Sequence, residues 1–292
     1  MNKPGVGVIG ASSMVGGYVL DRLKRSESAV IAFSRSVGPG VEFGEVNWQV
    51  LSPASMDAVE LQELSDWICL CPIWSVPQHF SLMRTFGIRR IVALSPTSIF
   101  TKTSAGSGDL YENGLAEQLA EGERKIQSWA EINGIEWVIL RPTLIYDFIQ
   151  DNNISHIAAF IRQYGFFPIL HGARGRRQPV HAAEVAYAVC AALGSHLATN
   201  RSYNISGGET LSYRVMVERI FGLIEIKPKF VNVPIWGFKI AIILAKFLPK
   251  YRHLSSAMAE RMATDLVFDH TAAMVDLGYV PGKFPVHAPK AK

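Results

Sequence analysis

The chain has 292 residues, of which 49% are hydrophobic and 18% charged, enough apolar material for one large or two intimate domains. The net charge is +4, with basic residues dispersed apart from one cluster, which gives nucleic-acid binding little support. Three cysteines, Cys69, Cys71 and Cys190, are too few for a disulfide framework and suit a reducing, cytoplasmic setting. Cys69 and Cys71 share one face of a β-like run but lack a second pair for a metal site. The first strand starts so early that no signal peptide is expected.

In chain order, an apolar run (Val6, Gly7, Val8, Ile9) enters a Gly/Ser turn from Gly10 to Gly17. A helical segment follows, then a second apolar run ending in Ser34, Arg35 and Ser36. Strand, glycine turn, helix and strand form the unit that cradles a dinucleotide pyrophosphate. Gly10 supplies the φ freedom of the sharp turn, Gly16 allows close helix–strand packing, and the helix N-terminus offers free N–H groups to phosphate. The candidate contacts are Gly10, Ser12, Ser13, Met14, Val15 and Gly16. An NAD-preferring site usually has an acid after the second strand. Ser34 and Arg35 stand there instead, so NADP(H) is expected, with NAD(H) as the alternative and a solvated loop arginine as the plain structural reading.

Further strands are expected at 29–34, 47–51, 67–71, 90–95 and 136–141, with a long helix over 115–133 closed by Gly134. This alternation predicts an α/β, doubly wound parallel (Rossmann) sheet. Beyond it, helices are expected at 151–164, 182–193, 212–224, 235–247 and 255–266, with a strand at 203–205. The division is a dinucleotide-binding domain over 1–146 and a mainly substrate-binding domain over 147–292, with 171–200 packing back on the first.

The segments Val8 to Gly16, Arg90 to Ser95, Trp137 to Tyr146, Arg177 to His181 with Glu184, and Tyr203 to Gly208 resemble the extended, or atypical extended, short-chain dehydrogenase/reductases, the NAD(P)-dependent epimerase/dehydratase family. The resemblance runs over almost the whole chain and implies a Rossmann domain for NAD(P) beneath a C-terminal domain for a nucleotide sugar or similar substrate. It places Cys71, Pro72, Ser95 and Pro142 beside the cofactor, with Arg141 a structural ion-pair residue. It matches Arg177 to the arginine that binds the substrate diphosphate, for which a planar two-pronged donor is suited. Asn153 is the second candidate substrate contact.

The family acts through a Tyr-x-x-x-Lys pair on the long helix. Counted from Glu123 and Gly134, those places hold Leu115 and Leu119, and leucine transfers no proton. Thr97 and Ser98, near the family's Ser/Thr place, and Tyr111, one helical turn before Leu115, are the candidate substitutes, followed by Glu117. The leading function is an NADP(H)-dependent reductase or epimerase-like enzyme acting on a diphosphate-linked sugar, free or lipid-linked; the alternative is a non-catalytic dinucleotide-binding redox sensor or assembly factor. His181 reads as a structural histidine and Glu184 as serving the following helix. The apolar stretch 235–248, carrying Lys239 and Lys246 on one face, reads as a buried helix or as a peripheral membrane contact. Pairing of two copies through the long helix, as relatives often do, is a further possibility.

Overall fold

The computed structural model describes residues 5–26, 29–35, 46–51, 63–101, 110–170, 173–234, 236–237 and 262–286. Its centre is a seven-stranded sheet: β1 (Val6–Ile9), β2 (Val30–Ser34), β3 (Asn47–Val50), β4 (Asp66–Cys69), β5 (Arg90–Leu94), β6 (Glu136–Pro142) and, from much later in the chain, a strand at Arg201–Ile205. Counting that strand as β11, the order is β11-β6-β5-β4-β1-β2-β3 and every pairing is parallel. All seven strands therefore deliver their C-terminal ends to one edge, where open α/β sheets bind ligands.

The strands are short and apolar because helices cover both faces. On one face Val6, Val8, Ile68, Val92 and Val138 pack against α1 (Met14–Arg25) and α6 (Ala182–Gly194). On the other, Ile9, Phe33, Trp67, Ile91 and Ile139 pack against a 3-10 stretch (Ile73–His79), α2 (Phe80–Thr85) and α4 (Leu110–Ile132). The alternation of Val8 and Ile9 between the two cores is the period-2 pleat. Phe80 stacks on Trp129 with ring centroids 3.9 Å apart, clamping α2 to α4. A short α3 (Ser98–Thr101) precedes α4.

After β6, a two-residue strand β7 (Ile145–Tyr146) leads into the second lobe. This lobe holds α5 (Ile154–Tyr164), β8 (Phe167–Leu170), β9 (Arg176–Arg177), β12 (Leu211–Ser212), α7 (Tyr213–Leu223) and β13 (Phe230–Val233). Ile154, Ile161, Phe167, Val217, Phe221 and Phe284 form its core. The chain returns to the sheet through β10 (Val180–His181), which pairs with β7, then α6, which packs on α1. A final helix, α8 (Thr271–Leu277), lies along β11.

Two differences from the sequence reading have clear causes. The strand expected at 203–205 is five residues long and is an edge strand of the main sheet, not part of the small lobe. The helix expected from residue 151 starts at Ile154, because Asp147 and Asp151 collect the preceding amides. Asp147 Oδ1 accepts from Ile149, Gln150 and Asp151, and Asp151 from Phe148, Asn153 and Ser155. The helix expected over 235–247 lies almost wholly outside the described residues. So does most of the one over 255–266, whose described end is not helical: Leu266 bridges to Arg177.

Candidate dinucleotide cleft

Gly10 ends β1 at φ +80°, the left-handed region that glycine occupies without penalty. A Cβ there would lie 2.8 Å from the amide nitrogen of Cys71, so the loops after β1 and β4 touch. A Cβ on Gly16 would lie 2.1 Å from the carbonyl oxygen of Ala11, closer than any side chain tolerates. These contacts shape a tight turn opening directly into α1. Ser13 is the helix N-cap: its Oγ accepts from the Gly16 amide at 3.2 Å. Val15 is buried in the core and Met14 is half-buried, so what they offer at the turn is the first-turn amides.

At the end of β2, the buried Ser34 lies with its Oγ 3.5 Å from that of Ser12, and Arg35 is exposed beside it. After β4, Cys71 is half-buried and Pro72 exposed. Burial raises the Cys71 thiol pKa, while its hydrogen bond to Ser75 and the charge of Arg35 oppose the rise. Ser95 follows β5; its hydroxyl is wholly buried and has no hydrogen-bond partner among the described residues. A buried hydroxyl left unpaired costs stability. Pro142 ends β6, and its carbonyl accepts from the amide of Thr97 at 3.0 Å and from its Oγ1 at 3.3 Å.

The candidate proton donors fare unevenly. Thr97 is buried and its hydroxyl is committed to Pro142, whereas Ser98 opens α3 half-buried. Tyr111 stands in the first turn of α4, its side chain outside the described residues. Glu117 is exposed, on the side of α4 turned from the sheet. Leu119 is buried at 1% exposure in the core and Leu115 packs against the same cluster. One turn further, Glu123 is buried and takes a two-pronged ion pair from Arg141, whose guanidinium also lies over Phe100. Residues 115, 119 and 123 thus form one sheet-facing stripe.

Arg177 was expected at the substrate diphosphate; here strand alternation turns its side chain inward and that of Arg176 outward. Arg177 is 3% exposed, donates to the carbonyls of Arg176 and Thr264 at 2.8 and 2.6 Å, and lies over Tyr213. Arg176 is clasped by Asp265. Of the cluster, Arg174 is exposed with no ion-pair partner among the described residues. Asn153 is exposed at the start of α5, its side chain making no capping bond.

Two features were not read from the sequence. Arg90 is buried and gathers the C-terminal carbonyls of α6. The other is the Asp147/Asp151 loop, where Phe148 sits at φ +65°, rare for a bulky residue. Repeated Asp and Asn residues over 147–153 were the only available signal for that loop.

No family model matches the chain. A structure of UDP-glucose 4-epimerase from Thermotoga maritima with UDP-glucose aligns over 96% of this chain and 94% of that one, at a TM-score of 0.67 and 15% identity. A short-chain dehydrogenase/reductase superfamily protein from Agrobacterium tumefaciens, with bound NAD, aligns over 96% and 93% at 0.67 and 13%. The chain shares the fold of these proteins, a parallel Rossmann sheet carrying a second, smaller lobe. The epimerase Mth375 from Methanothermobacter thermautotrophicus aligns over 96% and 88% at 0.71 and 14%. Among curated sequences, the mitochondrial NADH dehydrogenase [ubiquinone] 1 alpha subcomplex subunit 9 of Arabidopsis thaliana is 28% identical over 163 residues, 51% of this chain. The match spans 39% of that relative's length. No described helix is long and apolar enough to cross a membrane.

Proposed function

We propose that this chain binds a nicotinamide dinucleotide across the C-terminal ends of β1, β2, β4, β5 and β6, without the family's usual proton-transfer chemistry. The observation that carries this reading is the glycine cradle, where a Cβ at Gly10 or Gly16 would collide with backbone. The unpaired Ser95 hydroxyl fits the same ligand. Such a cofactor, when bound, supplies hydride chemistry; this chain's residues bind and orient it. First-turn amides of α1 would take the pyrophosphate, and Ser12, Ser34 and Arg35 the adenine ribose. A cation and hydroxyls in place of an acid favour NADP(H) over NAD(H).

The role follows from the stripe on α4. Leucine at 115 and 119, and an Arg177 held by carbonyls, favour a cofactor-binding role without proton transfer over chemistry on a sugar diphosphate. We infer a dinucleotide-binding accessory or sensing protein, a reading supported by similarity to a complex I subunit. The second reading, reduction or epimerisation of a diphosphate-linked sugar, draws on the neighbour that holds UDP-glucose. It needs a donor among Ser98, Tyr111 and Thr97.

Titration of NADPH and NADH into the full chain, followed by a sugar-diphosphate screen monitored through cofactor absorbance, separates these outcomes. Binding without turnover is expected. Turnover on a sugar diphosphate would establish the second reading, and failure to bind either cofactor would remove both. Arg35→Ala is expected to weaken NADPH binding about tenfold or more while leaving NADH nearly unchanged; equal effects on both would refute the 2′-phosphate contact.

A further inference from the structure

His181 caps α6 in an unusual way. Its Nδ1 accepts a hydrogen bond from the Ala183 amide at 3.1 Å, while its own amide donates to Glu184 Oε2 at 3.0 Å. This is a reciprocal capping box with imidazole in the place of a hydroxyl or carboxylate. An imidazole accepts through Nδ1 only when that nitrogen is unprotonated. The cap therefore exists only for neutral His181.

Three parts of the molecule meet at this cap. Glu184 uses its other oxygen, Oε1, to accept from the Gly282 amide at 2.5 Å, and Gly282 in turn accepts from the Gly208 amide at 3.0 Å. The segment so held delivers Phe284 into the core of the second lobe, against Tyr146. The His181 ring is packed edge-on between Tyr146 of β7, at 5.2 Å, and Tyr18 of α1, at 5.6 Å. Tyr18 directly follows the glycine turn of the dinucleotide cradle.

We propose that the His181–Glu184 capping box is an acid-sensitive latch joining the dinucleotide cradle to the C-terminal segment around Gly282. Protonation puts N–H donors on Nδ1 and Ala183 face to face. The cap opens, Glu184 turns toward the new imidazolium, and the Gly282 contact is released. The ionisable groups facing the ring are Tyr18 on α1, Tyr146 on β7, Asp147 just after it and Glu184 on α6. Burial lowers the His181 pKa, opposed by the carboxylates of Glu184 and Asp147. The sign follows: the unfolded chain takes the proton first, so stability from this group is complete above the ordinary imidazole range, near about 6.5. It is lost as pH falls from there through the folded pKa.

The test is amide hydrogen exchange on the full chain between pH 8 and 5, read as protection factors at Ala183 and Gly282, alongside NADPH titrations at each pH. Protection at both amides is expected to fall together, about tenfold or more, below pH 6, and NADPH affinity with it. In His181→Asn, whose side-chain oxygen caps without titrating, both profiles are expected to be flat. In Glu184→Gln, the midpoint is expected at lower pH, since a carboxylate that favours the charged ring is gone. Unchanged protection of the parent at pH 5, or an acid-induced loss preserved in His181→Asn, would overturn the latch. The exchange readout needs no cofactor. Failure of NADPH to bind would thus refute the proposed function and leave the latch to be judged on exchange alone.

Discussion

Single positions decide what the cleft holds. Gly16 is the sharpest case, because its missing Cβ is replaced by the Ala11 carbonyl and no rotamer relieves the 2.1 Å overlap. Gly16→Ala must push α1 away from β1, at a cost of about 1–3 kcal/mol for overpacking. The same shift moves the first-turn amides, so NADPH affinity is expected to fall at least tenfold. A chemical-denaturation midpoint and a fluorescence titration on the same sample check both effects; loss of stability with unchanged affinity would detach the turn from the ligand. The close packing at Gly16 was legible in the sequence, since a turn running straight into a helix needs a residue without a side chain there. Ser95 was legible only as a neighbour of the site. Its isolation depends on which groups surround it, and that is a property of β5 and β6 together.

At the scale of elements, the sequence carried periodicity well and side-chain partnerships poorly. Strand runs and the long helix follow from apolar spacing, and Gly134 closes α4 at φ +65° as a C-terminal glycine should. Arg90 left no such trace, because its partners lie between 46 and 109 residues away. Its Nη1 donates to the carbonyls of Ala192, Leu193 and Ser195, its Nη2 to Thr199 and its Nε to Glu136. One guanidinium thus satisfies the end of α6, where carbonyls have no intrahelical partner, and pins it to β5. Arg90→Ala strands these acceptors in a buried site and leaves a cavity. An expected loss of about 3–5 kcal/mol follows from breaking a buried charged network. Arg90→Lys is expected to recover only a minor part, since an ammonium cannot span the fork. Equilibrium unfolding in urea measures both; a loss under about 1 kcal/mol for alanine would show that water serves the carbonyls as well.

Across the whole molecule, the strand that a motif lies in decides which way its side chains face. Arg177 lies in the pattern that resembles a diphosphate contact, yet β9 pairs with β12 and also bridges to Leu266, so its side chain faces the lobe interior. There it ties the Thr264 carbonyl to Arg176 and covers Tyr213, while Asp265 clasps Arg176 from the outer side. The two arginines act as a double hinge pin between the small lobe and the returning C-terminal segment. Arg177→Met keeps the apolar length but removes the donors. Two carbonyls left without a charged partner imply a loss of about 2–4 kcal/mol, and at roughly 2–4 °C per kcal/mol the melting temperature should drop by about 4–16 °C. Binding of UDP-glucose, measured by calorimetry at a temperature where both proteins are folded, should be the same for Arg177→Met as for the parent. If the variant instead melts like the parent and loses a UDP-glucose affinity that the parent has, Arg177 is a ligand residue. The lobe would then have to open in solution to free the guanidinium from Thr264.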